Sequence, residues 1–178
     1  MGNVHPAGKV KLIVGLISAD KTLFDKVRLI LEKKFGNKAD FESEVMDFTY
    51  TDYYNREMGT GLKRKFLSFK KPVSLKDIEK TKLISNKIEK KLSANGKRTI
   101  NIDPGYVDLA KLVLFSTKDY SHRMHVGRGI FAEVTLHFKD EKFTTWPWTY
   151  PDYKTDAYIS IFNYIRELYK SELKNRTK

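Results

Sequence analysis

No cysteine occurs in the 178 residues, which removes disulfides, thiolate metal sites and a cysteine nucleophile together. Long apolar runs are also missing: the longest, such as Leu12 to Ile17 and Leu112 to Phe115, fall far short of the roughly 20 residues that span a bilayer. Met1-Gly2-Asn3-Val4-His5 leads into no apolar signal core. A cytoplasmic protein with no membrane partner is therefore expected. There is no GxxxxGK[ST] and no GxGxxG, so neither a P-loop nor a dinucleotide fold has support. The histidines, at 5, 122, 125 and 137, show no HExxH or compact zinc spacing. Arginine is scarce: 26 of the 34 basic residues are Lys and only 8 are Arg.

Against 22 acidic residues those bases leave a net charge of +12, which favours an anionic partner such as RNA, DNA or a phosphorylated small molecule. The Lys excess also fits a merely solvated surface, because planar contacts to phosphates and bases favour Arg. A hydrophobic content of 40% with 13% aromatics excludes wholesale disorder. The length suits one compact domain spanning residues 1–178.

Periodicity predicts the elements. Leu12–Ile17 fits an interior strand, and Asp20 is placed to cap a helix with Leu23, Phe24, Val27, Ile30, Leu31 and Phe35 at helical spacing, stopped by Gly36-Asn37. Phe41–Tyr50 and Leu62–Phe69 alternate as strands. Ser74 with Asp77 resembles a capping box ahead of a helix that buries Leu75, Ile78, Ile84, Ile88 and Leu92 and turns Lys80, Lys82, Lys87, Lys90 and Lys91 outward. Arg98–Ile102 completes the order of a ferredoxin-like βαββαβ unit. More strands follow, then a final helix from Thr155–Asp156, and Lys170–Lys178 reads as a frayed basic tail. The expected class is α+β, with a mixed, mainly antiparallel sheet and a C-terminal helix packed on it.

Polar residues of chemical type punctuate the central strands. Asn101 and Asp103 point to one face, and Pro104-Gly105 is expected to turn the chain there. A carboxylate in that position binds a divalent cation, orients a base or receives turn amides. Lys118, His122 and Arg123 form an anion-binding set: a point charge, a proton-transfer group and a rigid fork. From Ile130 the alternation puts Glu133 on the face opposite Ala132, Val134 and Leu136, where edge exposure explains it as well as a role does. Glu57, in a segment with Tyr53 and Tyr54, and Asp152, beside Trp146-Pro147-Trp148, offer further oxygen ligands and stacking surfaces.

Several segments together resemble the prokaryotic family known as domain of unknown function 4416. They are FTYTDYYNREMG at 48–59, NIDPGY at 101–106, STKDYSHR at 116–123, GIFAEVTL at 129–136 and WTYPDY at 148–153. The resemblance covers nearly the whole chain and implies no mechanism. The residues themselves suggest binding, with Mg²⁺-assisted turnover as an extension, of a phosphorylated or nucleotide ligand. Lys118 and Arg123 would hold the anion, Asp103 and Glu133 the Mg²⁺, and His122 would move a proton with Asp103 in the catalytic set. Glu57, Tyr54, Trp148 and Asp152 would complete the pocket. The competing readings are a non-catalytic RNA-binding module using the Lys-rich helix and the aromatic segment at 146–153, and a structural or assembly protein without a small ligand.

Overall fold

In a computed structural model, residues 2, 3 and 7–176 are described; His5 lies outside them. Strand β1 (Lys9–Ser18) buries nine of its ten residues. It is apolar on both faces because helices cover both. At its end Ser18 Oγ accepts the Asp20 amide at 3.0 Å and Asp20 Oδ1 accepts the Thr22 amide at 2.9 Å, which launches α1 (Thr22–Phe35). Gly36, in the left-handed region at φ 60°, closes that helix by donating to the Glu32 carbonyl.

The chain continues through β2 (Ala39–Glu42), β3 (Met46–Asp47), a single-turn α2 (Asn55–Met58), β4 (Lys63–Phe69), β5 (Val73–Ser74) and α3 (Lys80–Leu92). Then come β6 (Asn101–Val107), β7 (Lys111–Ser116), β8 (Met124–Gly127), β9 (Ile130–Lys139) and β10 (Lys142–Thr145). A 3₁₀ turn at Asp152–Lys154 leads into α4 (Asp156–Arg176).

The sheet order is β10-β9-β7-β6-β1-β4-β2, and the pairs along it are antiparallel. Its β6-β1-β4-β2 half, crossed by α1 and α3, has the strand order of the expected ferredoxin-like unit, and β7, β9 and β10 extend it. Alternation along β1 sends Leu12, Val14 and Leu16 to the core under α1 and α3. Ile13 goes with Phe66, Leu114 and Leu136 to the core under α4, where Tyr158, Phe162 and Ile165 meet them.

Four expectations change in detail. The strand expected at 41–50 is two short ones: at Ser43 the amide still donates to the Phe66 carbonyl, but the Phe66 amide is accepted by Ser43 Oγ instead of a backbone carbonyl, both at 2.9 Å. The Ser74–Asp77 box does not form: Ser74 Oγ accepts the Lys76 amide at 3.1 Å, Asp77 takes φ 60°, and the helix starts only at Lys80. Asp103-Pro104-Gly105 lies inside β6 rather than in a turn. The segment expected as a tail is helical to Arg176, since Tyr169 donates to the Lys9 carbonyl and Glu172 pairs with buried Lys11.

Candidate functional site

The sheet splits beside β6. Strand β6 pairs with β7 only at Gly105–Val107, while Phe115 and Ser116 at the far end of β7 pair with β9 alone. Gly105 marks where the two strands draw together: a Cβ there would lie 2.3 Å from the Val113 carbonyl oxygen. Above it, side chains of α3 replace the missing strand. The Ile102 amide donates to Glu89 Oε1 at 2.6 Å, and its carbonyl accepts from Lys82 Nζ at 3.0 Å. Pro104 has no amide to satisfy, which is why the strand tolerates it here. Lys82 also donates to Asp103 Oδ1 at 3.2 Å. It is buried, not on the solvated lysine face where the sequence placed it.

A cavity of about 600 Å³ lies at this split. Its lining comes from β6 and the end of β7, from the 50–54 and 150–153 segments, and from single side chains of β4, α3 and β9. At its floor Arg64 reaches across β1, and Gly15 makes the passage: a Cβ at 15 would sit 2.8 Å from Arg64 Nη1. Nη2 donates to Asp152 Oδ2 at 2.8 Å, and Nη1 stays 3.9 Å from Asp103 Oδ2. Phe48, Phe66, Tyr153 and Tyr158 ring the guanidinium at 5.0, 5.2, 5.7 and 5.9 Å. Burial opposes the Arg64 charge, but Tyr153, Asp152, Tyr158 and Asp103 outweigh it and hold the group above its ordinary range. Arg64 Nε and Nη1 have no hydrogen-bond partner, nor does the buried hydroxyl of Tyr153; the Tyr158 hydroxyl lies against Arg64.

One wall is a relay. Arg98 grips Glu57 through Nε and Nη2 at 2.8 and 2.7 Å, and its Nη1 donates to Asn101 Oδ1 at 2.8 Å. Asn101 Nδ2 in turn donates to Asp103 Oδ2 at 2.5 Å. The Arg98 hydrogen bonds hold the Glu57 carboxyl below the usual carboxylate range despite partial burial. Burial, with Asp103 nearby, pushes the Tyr54 phenol upward, so it remains a donor.

On the opposite wall Arg123 Nε donates to Glu133 Oε2 at 2.8 Å. Its Nη1 donates to Ser116 Oγ and the Lys118 carbonyl, both at 3.0 Å, and Nη2 donates to the Tyr150 hydroxyl. Lys118 Nζ, at the mouth, donates to the Tyr53 hydroxyl at 2.7 Å.

Of the residues singled out in the sequence, the fold brings Tyr54, Asp103, Lys118, Arg123, Glu133 and Asp152 onto this one cavity. Three stand behind it. Glu57 acts through Arg98. His122 points Nε2 at Glu133 Oε2, 3.3 Å away, between the rings of Tyr120 and Trp148. Trp148 stacks on Trp146 at 5.1 Å and donates Nε1 to the Val134 carbonyl at 3.1 Å, so it packs over β9. Arg123 and Glu133 are both buried and spend their polar atoms on each other and on neighbours. Edge exposure therefore does not account for Glu133.

Among the described residues no three His, Asp or Glu converge, Asp103 faces Lys82 and Arg64, and Glu133 faces Arg123.

Arg64, Lys82, Arg98, Asn101 and Tyr153 were not singled out as site residues, although two left traces in the sequence. Lys82, Ser85 and Glu89 continue the buried stripe of α3 at helical spacing, and Arg64 shares the inward parity of Phe66 in β4.

The family model described as Domain of unknown function (DUF4416) matches residues 8–169. No curated protein and no solved structure matches.

Proposed function

Because the chain belongs to the DUF4416 family, which carries no chemistry with it, we propose its role from the cavity itself: it binds a phosphorylated or nucleotide ligand at the β6–β7 split. The observation that carries this reading is the pairing of the charges. Five cations line the cavity: Arg64, Lys82, Arg98, Lys118 and Arg123. Four have a carboxylate partner, Asp152, Asp103, Glu57 and Glu133 respectively. Lys118 instead meets a tyrosine hydroxyl, and it stands at the exposed mouth. A ligand anion therefore exchanges a neutral partner for a charged one there, with little burial of the ammonium to offset the gain.

Six tyrosines contribute to the rest of the lining. Tyr50, Tyr53, Tyr120 and Tyr150 are exposed around the rim, where each presents an apolar face and a hydroxyl to a ring or a ribose. The reading is of binding alone, since His122, the proton-transfer candidate, sits behind the wall against Glu133.

Thermal shift against nucleoside monophosphates and sugar phosphates tests it. At about 100 times the Kd a ligand adds about 2.7 kcal/mol, or roughly 5–10 °C in a chain of this size. Lys118→Ala is expected to weaken a responding phosphate at least about tenfold and to leave its unphosphorylated analogue unaffected. Equal binding of both forms by both proteins would refute the assignment.

A further inference from the structure

The cavity floor differs in chemistry from its mouth. Arg64 is 4% exposed at its side chain, and Asp152 already neutralises it, with Asp103 Oδ2 3.9 Å away. A second anion there would bring a third negative group to one guanidinium. Hydrogen-bond donors are nonetheless in surplus: Arg64 Nε and Nη1 and Tyr153 Oη are buried without partners, while Tyr158 Oη lies against Arg64. Arg64 and Tyr153 line the cavity, and Tyr158 stands directly behind, its ring 5.7 Å from that of Tyr153. Unpaired buried donors call for acceptors, and the charge balance calls for uncharged ones. The surrounding faces of Phe48 and Tyr153 are aromatic, which suits a flat partner.

We infer that the floor receives the oxo edge of a planar, uncharged heterocycle, a nucleobase whose ring carbonyl accepts from Arg64 and Tyr153 while its phosphate lies outward on Lys118. This rests on the ligand class proposed above and fixes its orientation, base inward and phosphate at the mouth. It also sets a preference. Uracil and hypoxanthine present an oxygen where cytosine and adenine present an amino group, which is a donor facing donors. The amino bases would leave the floor unpaired and add a repulsive contact.

Calorimetric titration of the whole chain with uridine, cytidine, inosine and adenosine, each free and as the 5′-monophosphate, tests the orientation. The expected result is oxo bases at least roughly tenfold tighter than their amino counterparts, with or without phosphate. Tyr153→Phe removes a hydroxyl that has no partner, so the variant is expected to fold, and it should reduce the oxo preference while keeping the gain from phosphate. Lys118→Ala should do the reverse. Equal affinity for oxo and amino bases, or a preference unchanged in Tyr153→Phe, overturns the inference. Inorganic phosphate binding that survives Lys118→Ala also overturns it, because the floor would then be the anion site. A phosphate gain unchanged in Lys118→Ala, with the base preference intact, sinks only the mouth assignment. Absence of binding by all eight compounds overturns both.

Discussion

Arg64 and Asp152 form a buried ion pair whose removal should be costly one partner at a time and much less so together. The nitrogen and oxygen are 2.8 Å apart, and the side chains are 4% and 6% exposed. Charge centres about 4 Å apart attract by about 4 kcal/mol at an effective dielectric near 20, and stripping water from both ions opposes that gain. Removing Asp152 leaves the desolvation of Arg64 in place with only Asp103, at 3.9 Å, to compensate. Asp152→Asn is therefore expected to destabilise by about 3 kcal/mol, which for a chain of this size lowers the Tm by roughly 6–12 °C. Arg64→Met should cost a similar amount, since Asp152 is then orphaned. The double variant replaces the pair by an apolar chain and a neutral amide, and should lose only about 1–2 kcal/mol. Urea unfolding of the four proteins closes the cycle, with a constant m-value as the check that two-state behaviour holds. A coupling below about 0.5 kcal/mol, meaning additive single effects, would refute the view that the two charges are held by each other.

Two further substitutions probe the scaffold. Gly105→Ala drives a Cβ to 2.3 Å from the Val113 carbonyl, whereas Gly15→Ala meets Arg64 Nη1, the end of a long side chain, at 2.8 Å. The first is expected to cost about 3 kcal/mol or more and the second about 1–2 kcal/mol, so a reversed order of urea midpoints would contradict the close β6–β7 approach. Acid titration examines Glu57. Its folded pKa lies below the unfolded value because Arg98 hydrogen-bonds the carboxylate, so its stabilisation is present above the unfolded pKa, about 4.3, and is lost as pH falls through the folded one. Glu57→Gln should consequently flatten the loss of stability below about pH 4.5 and leave the pH 5–7 profile unchanged in shape; an unaltered acid limb would count against the Arg98 grip.

The repeating units of the fold were legible because both faces of the sheet are apolar. The continuous run of β1, the 3.6 period of α1 and the two-residue alternation of β9 each name their element, and their succession yields the ferredoxin-like half. Breaks in pairing were not legible. Asp103-Pro104-Gly105 looks like a turn because proline and glycine usually mean one, yet here they sit where a strand loses one neighbour and α3 supplies its hydrogen bonds. That substitution is tertiary, and no local pattern announces it. The site was half legible for the same reason. Residues in connecting segments, such as Lys118 and Asp152, stand out against apolar runs. Lys82 and Arg64 are charges within otherwise apolar faces, and composition makes a Lys-rich helix look solvated throughout. Two partners of Arg123 were hidden by distance in sequence: Glu133 and Tyr150 join Ser116 and the Lys118 carbonyl around a guanidinium that otherwise reads as a free anion fork.

Strand β1 is the first regular element among the described residues, and it ends up as an interior strand of the finished sheet. Its neighbours lie far downstream, β4 at Lys63–Phe69 and β6 at Asn101–Val107. At roughly 5–20 residues per second, ribosomal synthesis separates the appearance of β1 from that of β6 by about 5 to 20 s. Throughout that interval the most apolar stretch of the chain has at least one unpaired edge, and the helix that seals its second face comes later still, tied back through Tyr169 and Glu172 to Lys9 and Lys11. The nascent protein thus carries an adhesive centre before it has a rim, and its yield in a cell should depend on chaperone capacity more steeply than its final stability would suggest.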